Sequence, residues 1–259
     1  MTDPSKLAYA AVLLDIEGTT TPISFVHEVL FPYVQNHARA FIEARWDDPA
    51  CRPYLTNLQA QSEADRHQGL QDIPRVADLD DATLPTSTKI NSLVANLDYQ
   101  IYHDRKIKAL KDFQGYMWEV GYRSGELKSI VYPDVVDALK QWKSLGKPVY
   151  IYSSGSVPAQ KLIFAYSDQG DLTPYLAGYY DTAVGSKLAT DSYRAIQQTT
   201  GVPARELLFI SDNVKEIDAA RAAGFPTAVA QRPGNAPLPA AVTADPIYTV
   251  ISDFHALLD

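Results

Sequence analysis

Short apolar runs, each stopped by polar residues, recur along the chain and constrain the fold more than any other feature. The first run, residues 9–14, is Tyr-Ala-Ala-Val-Leu-Leu and stops at Asp15. Apolar runs with little alternation are typical of strands buried on both faces, as in a parallel sheet. We predict strands at 9–14, 148–152, 207–210 and 226–230, with 178–182 as a further candidate.

Helical patterns fill the intervals between the later strands. Gly146, Gly201 and Gly224 each follow such a pattern, as glycines at helix ends do. Ser156 is a candidate N-cap before a helix that opens with Val157-Pro158. The predicted helices span 134–145, 158–166, 191–200 and 216–223. Strand, loop, helix, strand is the rhythm of a doubly wound α/β sheet, which is the predicted fold class.

Residues 20–127 break this rhythm, because they lack buried-strand runs and carry helix-like segments. We predict an α/β core made of residues 1–19 and 128–259, with residues 20–127 inserted as a helical cap. Ligands of open α/β sheets bind beyond the carboxyl ends of the strands, so the cap is expected over that edge. The candidate helices of the insertion are 25–45, 51–71, 88–108 and 113–121.

Charge and cysteine content exclude several classes of function. The net charge of −8 argues against non-specific binding to nucleic acid or to anionic lipid. The single Cys51 excludes an intramolecular disulfide and fits a reducing compartment. The longest stretch without a charged residue, 148–160, is too short for the roughly 20 apolar residues of a membrane span. No signal peptide is evident, so we expect a cytoplasmic protein. The sequence shows no surplus apolar stripe that would require a partner, so we expect a monomer.

Reactive side chains follow the predicted strands, whose carboxyl ends share one edge of a parallel sheet. Three grouped carboxylates need a cation, and oxygen donors together with a phosphate suit Mg²⁺. Hydroxyl and ammonium groups could hold the phosphate, together with the backbone N–H groups that open the helix after Ser156. An aspartate at the first strand could be a nucleophile, and a glutamate two residues on could act as acid and base. The residues concerned are Asp15, Glu17, Ser153, Ser154, Lys187 and Asp212.

Four segments resemble the four motifs of the haloacid dehalogenase-like hydrolases, in order and in place. Residues 15–20 resemble the first motif, Ser153 the second, Lys187 the third and residues 211–216 the fourth. Most phosphatases of that superfamily have aspartate where this chain has Glu17. Residues 15–26, 152–161 and 224–234 are further similar to the acireductone synthases, the bifunctional enolase-phosphatases of methionine salvage.

The resemblance implies an enzyme with one Mg²⁺ per chain that acts on 2,3-diketo-5-methylthiopentyl 1-phosphate. It would enolise the diketone and then remove the phosphate to give the acireductone. It assigns Asp15, Glu17 and Asp212 to the metal, and Ser153, Ser154 and Lys187 to the substrate. The role of Asp15 as nucleophile carries over from the wider superfamily. The catalytic candidates are therefore Asp15, Glu17 and Lys187.

Other functions stay open at this point. The first alternative is a capped phosphatase for another small phosphate ester, such as a sugar phosphate or phosphoglycolate. A dehalogenase fits less well, because its chemistry needs neither a metal nor a second acid at Glu17. A non-catalytic phosphate-binding protein predicts the loss of at least one motif, and none is lost.

Several further residues have a structural interpretation beside a functional one. His27 or Glu28 could reach the site and remove a proton during enolisation, although a lone histidine on a helix is more often structural. Glu216 fits a helix-start acid or a partner of the site better than a direct metal ligand. An aromatic cluster in the insertion fits its core better than a substrate pocket. That cluster is Phe113, Tyr116, Trp118 and Tyr122.

Overall fold

The computed structural model describes residues 7–258. Its sheet has six parallel strands in the order β3-β2-β1-β4-β5-β6. The predicted α/β class with a parallel sheet is confirmed. The strands are β1 (Ala11–Leu14), β2 (Val149–Tyr152), β3 (Gly178–Tyr180), β4 (Leu207–Ser211), β5 (Thr227–Ala230) and β6 (Val250–Ile251).

Strand β1 lies at the centre of the sheet. Val12 pairs with Val149 of β2 on one side and with Leu208 of β4 on the other. All four residues of β1 are buried, which explains its continuous apolar run. Because the strands are parallel, the segments that follow β1, β2, β3 and β4 emerge at the same edge of the sheet.

The helices alternate with the strands after residue 124 and follow one another before it. They are α1 (Phe31–Ala44), α2 (Arg52–His67), α3 (Thr86–Tyr102), α4 (Lys108–Ser124), α5 (Pro133–Ser144), α6 (Val157–Ala165), α7 (Thr190–Thr200), α8 (Val214–Ala222) and α9 (Ala240–Ala244). A π-helical segment, Phe25–Leu30, precedes α1, and single 3₁₀ turns lie at Thr173–Tyr175, Ala204–Glu206 and Phe254–Leu257. No helix of the described residues 7–258 is long and apolar enough to cross a membrane.

The chain divides into two compact units. One unit, the sheet unit, holds the chain up to Val26 and from Gly125 onward, and the other, the helical unit, is His27–Ser124. The sheet unit has a core between the sheet and its helices, in which Leu13, Tyr193 and Phe209 are fully buried. The helical unit has its own core, which includes Val34, Leu55, Leu93 and Phe113. The role of residues 20–127 as a cap stays a prediction.

Two local predictions need correction, and one strand was not predicted. The helix predicted over 88–108 ends at Tyr102, because Asp104 has a φ of 46° and α4 begins only at Lys108. Strand β6 has only two residues and carries too little pattern to be recognised in the sequence. Ser156 occupies the N-cap position of α6 with an extended backbone, but its side chain makes no capping hydrogen bond.

Candidate active site

The segment after β1, which we call the β1 turn (residues 15–21), carries the first two candidate residues. The N–H groups of Thr19, Thr20 and Thr21 all donate to the carbonyl of Ile16, which winds the turn tightly. Asp15 stays in register with the sheet, because its N–H donates to the carbonyl of Ile210 at 3.0 Å. Its carboxylate is therefore held at the edge of the sheet, almost fully buried.

Gly18 in this turn has a φ of +65°, a conformation that L side chains rarely adopt. A Cβ atom at this position would lie 2.5 Å from Asp212 Oδ2, far inside van der Waals contact. The turn can approach the Asp212 carboxylate only because residue 18 is glycine.

Lys187 is the central cation of the site. Its Nζ pairs with Asp15 Oδ1 and lies 2.7 Å from Glu216 Oε2, and its side chain is only 7% exposed. Burial alone would lower the pKa of this amine, but Asp15 and Glu216 outweigh burial and raise the pKa. Lys187 is therefore held as an ammonium between two carboxylates.

Glu216, on the first turn of α8, is part of the same network. Its Oε2 accepts a hydrogen bond from Ser211 Oγ at 2.9 Å, and Ser211 Oγ accepts from the N–H of Asn213 at 3.1 Å. Burial and the nearby Asp15 raise the pKa of Glu216 above its ordinary value, although Lys187 opposes the shift. The structure thus places Glu216 both in the first turn of α8 and in contact with Lys187, and its role in the site stays a prediction.

Asp212 follows β4 and faces the β1 turn. Its N–H donates to Thr19 Oγ1 at 3.1 Å, and Thr19 Oγ1 in turn lies 3.4 Å from Asp15 Oδ2. Burial, followed by repulsion from Asp15 and Glu17, raises the pKa of Asp212 to about 7, with Lys187 opposing the shift. The ends of β1 and β4 thus carry acids that repel one another in a site with one ammonium.

The loop that carries Lys187 is held by three hydroxyl groups. Tyr152 donates to the carbonyl of Gly185 at 2.9 Å, and Tyr193 donates to the carbonyl of Lys187 at 2.7 Å. Ser192 Oγ donates to the carbonyl of Ser186 at 2.7 Å. Two tyrosines of the buried core and Ser192 therefore fix the main chain of the loop at Lys187 and at the two residues before it.

Ser153 and Ser154 follow β2 and precede α6. Ser153 is buried and its Oγ accepts from the N–H of Gly155 at 3.3 Å, whereas Ser154 is exposed. Asp181 Oδ2 accepts from the N–H of Val157 at 3.2 Å, so this acid caps α6 in place of Ser156. The expectation that the backbone at this helix start adds phosphate donors is thereby weakened, because a carboxylate already uses the Val157 N–H.

The six predicted site residues border a single cavity of about 270 Å³ in the sheet unit. Its lining also includes Glu216, which the sequence indicated as a supporting residue, and Ile23 and Asn213, which sequence reasoning missed. Asn213 caps α8 by accepting from the N–H of Lys215 at 3.0 Å, a role that its place before a helix could have signalled. The predicted residues that line the cavity are Asp15, Glu17, Ser153, Ser154, Lys187 and Asp212.

The donor set can be tested for its fit to a divalent cation. Within residues 7–258, no group of three or more His, Cys, Asp or Glu side chains is placed so that it could hold a metal ion. Mg²⁺, however, is commonly held by one or two carboxylates together with waters and substrate phosphate. The described residues that line the cavity include four acids, Asp15, Glu17, Asp212 and Glu216, and one cation, Lys187. These residues therefore fit Mg²⁺ better than a metal enclosed entirely by protein ligands.

The remaining candidates lie in the helical unit. His27 and Glu28 are exposed in the π-helical segment, and the His27 ring contacts the Phe31 ring edge-on at 5.9 Å. Their role in enolisation stays a prediction. Phe113 is fully buried in the core of this unit, with Tyr116 and Trp118 packed against that core. These three aromatic residues are core residues, as the sequence indicated.

Comparison with known proteins places the chain in a family. The profile of haloacid dehalogenase-like hydrolases matches residues 9–224. A protein named enolase-phosphatase E1 from Xenopus tropicalis is 47% identical over 228 residues, which cover 88% of this chain and 86% of that protein. Enolase-phosphatase E1 from Branchiostoma floridae is 42% identical over 253 residues, which cover 96% of this chain and 83% of that protein.

A solved structure agrees with these sequence relatives. The crystal structure of the UTR4 protein (Unknown transcript 4 protein) from Saccharomyces cerevisiae has a TM-score of 0.75 at 37% identity. The match covers 95% of this chain and 98% of that one. The chain therefore belongs to the haloacid dehalogenase-like hydrolases and, within them, to the enolase-phosphatase E1 family.

Proposed function

We propose that this hydrolase is an enolase-phosphatase that converts 2,3-diketo-5-methylthiopentyl 1-phosphate to the acireductone in methionine salvage. The observation that carries the proposal is the cavity of about 270 Å³, in which carboxylates, hydroxyl groups and one ammonium face the same space. The relatives named enolase-phosphatase E1, at 42–47% identity, support the choice of reaction.

The phosphatase step uses Asp15 as the nucleophile. A carboxylate oxygen of Asp15 attacks phosphorus, the bond between phosphorus and the substrate oxygen breaks, and Glu17 gives its proton to that oxygen. Glu17, now a carboxylate, then takes a proton from the water that attacks the aspartyl-phosphate. Inorganic phosphate leaves, and Asp15 and protonated Glu17 are regenerated.

Lys187, Ser153 and Ser154 hold the transferring phosphate. The ammonium of Lys187 already touches Asp15, so a phosphate that approaches Asp15 also comes within reach of this cation. The Ser153 and Ser154 hydroxyl groups border the same cavity and supply neutral donors. Glu216 keeps Lys187 charged and in place during the reaction.

Asp15, Glu17 and Asp212 are the proposed Mg²⁺ ligands, with one ion per chain. When bound, the ion would neutralise the Asp15 and Asp212 carboxylates, would be held by a carbonyl oxygen of Glu17 while that side chain carries its proton, and would stabilise negative charge that develops on phosphate or enolate oxygens. Enolisation also needs a proton acceptor, for which His27 and Glu28 are the candidates outside the sheet unit.

The proposal includes a cellular setting. A buried, free Cys51 with a pKa raised to about 11 by burial is suited to a reducing cytoplasm, where it stays an unreactive thiol. We propose a cytoplasmic monomer whose partner is the small phosphate ester, without nucleic acid or membrane. The net charge of −8 is in keeping with this assignment.

The experiment that tests the function is a time course of the diketo phosphate with purified protein and Mg²⁺. Enol formation is followed by ultraviolet absorbance, and free phosphate is measured in parallel. We expect both signals, with the enol preceding phosphate. Phosphate release without an enol signal would contradict the proposal. Rapid hydrolysis of a sugar phosphate or phosphoglycolate, with no turnover of the diketo phosphate, would also contradict it. Either result favours the alternative phosphatase.

A further inference from the structure

A buried arginine lies behind the β1 turn. Arg232 follows β5 and is only 4% exposed, yet it belongs to none of the four motifs. Its Nε donates to the carbonyl of Thr19 at 3.0 Å. Its Nη1 donates to the carbonyl of Ser252 at 3.0 Å and lies 2.8 Å from Asp134 Oδ2. The guanidinium is thus bound to the turn on one edge and anchored to the protein on another.

Two aromatic rings also pack against this guanidinium. Its central carbon lies 4.6 Å from the centre of the Tyr132 ring and 4.7 Å from the centre of the Phe254 ring. Asp134 Oδ2 accepts a second hydrogen bond, from the N–H of Phe254 at 2.7 Å. The two ring contacts and the ion pair with Asp134 fix the orientation of the Arg232 guanidinium. A lysine at this position would lack the planar guanidinium group and could not stack on the rings in the same way.

Asn235, three residues further on, holds the neighbouring carbonyl of the same turn. Its Nδ2 donates to the carbonyl of Gly18 at 2.9 Å. Its Oδ1 lies 2.9 Å from the point that a Cβ atom of Gly18 would occupy, and Asp212 Oδ2 lies 2.5 Å from that point. The Asn235 side chain and the Asp212 carboxylate therefore flank Gly18 closely.

The carbonyl groups that Asn235 and Arg232 bind belong to Gly18 and Thr19. Both residues lie between the proposed metal ligands that follow β1 and β4. Thr19 contacts both acids through its hydroxyl, which accepts from the N–H of Asp212 and approaches Asp15 Oδ2. A shift of the Thr19 main chain would change the distance between Asp15 and Asp212. We infer that Arg232 and Asn235, the turn clamp, are positioning residues that hold Asp15 and Asp212 at their working separation through Gly18 and Thr19.

This inference rests on the proposed function for the metal and the reaction, but it can be tested without the diketo substrate. The first measurement is the dissociation constant of Mn²⁺, used as a probe of the two acids, by titration calorimetry of the substrate-free protein. We expect Arg232→Met and Arg232→Lys to weaken Mn²⁺ binding by about 10- to 100-fold, as loss of groups that orient metal ligands does.

A matched control is available in the sheet unit. Arg221 stacks on the Tyr248 ring at 5.0 Å and pairs with Asp218 at 3.6 Å, at the end of α8 away from Asp212. Arg221→Met should lower thermal stability without changing Mn²⁺ affinity. If Arg232→Met is folded and binds Mn²⁺ within about twofold of Arg221→Met, Arg232 stabilises the fold only and the inference is wrong.

The second measurement separates positioning from substrate binding. With turnover substrate, the Arg232 variants should lose kcat for phosphate release by about 10- to 100-fold, while KM changes less than about threefold. A rise of KM at unchanged kcat would overturn the inference. If Arg232→Met fails to fold, Asn235→Ala carries the same test, with a smaller loss expected in Mn²⁺ affinity and kcat.

The outcomes for the clamp and for the proposed function are distinct. Wild-type protein that binds Mn²⁺ but leaves the diketo phosphate unchanged contradicts the proposed function, and the clamp is then judged from Mn²⁺ affinity alone. If the wild-type protein turns over the substrate and the clamp variants match it in both Mn²⁺ affinity and kcat, the clamp inference is wrong and the proposed function stands.

Discussion

Gly18→Ala offers a sharp test of the close approach between the β1 turn and Asp212. An alanine Cβ would lie 2.5 Å from Asp212 Oδ2, whereas ordinary contact begins near 3.4 Å. The carboxylate must therefore withdraw by roughly 1 Å, a displacement that can cost about 10²-fold in rate at a catalytic centre. The left-handed backbone at φ +65° adds a stability cost of about 1–2 kcal/mol.

Gly201→Ala separates these two effects. Gly201 ends α7 with a φ of +68°, and within the described part of the chain a Cβ atom added there would meet nothing within 4 Å beyond its immediate neighbours. Both variants should lose thermal stability, by roughly 2–8 °C in Tm. Only Gly18→Ala should lose about 10²-fold in kcat for phosphate release.

The assay is phosphate release at saturating substrate and Mg²⁺, well below the Tm of either variant. Thermal melts in parallel confirm that each variant is folded at the assay temperature. A Gly18→Ala enzyme with kcat within about threefold of Gly201→Ala would refute the argument that the turn and Asp212 are packed at a fixed distance.

Three further predictions address the metal, the nucleophile and the helical unit. A chelator should abolish phosphate release, and added Mg²⁺ should restore it. Ca²⁺ should inhibit the enzyme, because its looser coordination suits in-line displacement poorly. Full activity in the presence of chelator would contradict the assignment of the metal ligands. Asp15→Asn should lose on the order of 10³-fold or more in the rate of phosphate release. If the variant still binds metal, the phosphorylated enol should accumulate and be detected by its absorbance. Equal loss of both steps would mean that Asp15 also serves enolisation. Burial alone would raise the pKa of Asp65, but hydrogen bonds from Arg105 and Gln61 lower it, so its stabilisation is present at neutral pH and lost as the pH falls below about 4. Asp65→Asn should therefore lower the Tm at pH 7, and its difference from wild type should shrink in acid; a difference that is independent of pH contradicts this.

The sheet and the strand-end residues could be predicted because each depends on a short local signal. The run 9–14 predicts β1 by its unbroken apolar character, and Asp15 and Glu17 stand directly behind it. Parallel strands then bring Ser153, Lys187 and Asp212 to the same edge without any knowledge of packing. The family resemblance that these residues carry is confirmed by the comparisons.

The supporting contacts could not be predicted, because they join residues that lie far apart in the sequence. Nothing local to Asp181 indicates that its carboxylate caps α6 at Val157, where Ser156 looks like the natural N-cap. The sequence likewise gives no sign that Arg232 contacts residue 19, and only the folded chain brings its guanidinium to the carbonyl of Thr19. Such contacts depend on how loops pack, for which a single sequence carries no periodic signal.

The central place of β1 has a consequence for synthesis. Val12 is synthesised well before its partners Val149 and Leu208, and at about 5–20 residues per second Leu208 follows Val12 by roughly 10–40 s. The helical unit, His27–Ser124, has a core of its own and is complete well before β4 appears. Ribosome-stalled chains that end before Leu207 should therefore contain a protease-resistant helical unit, preceded by a first strand that proteases still digest.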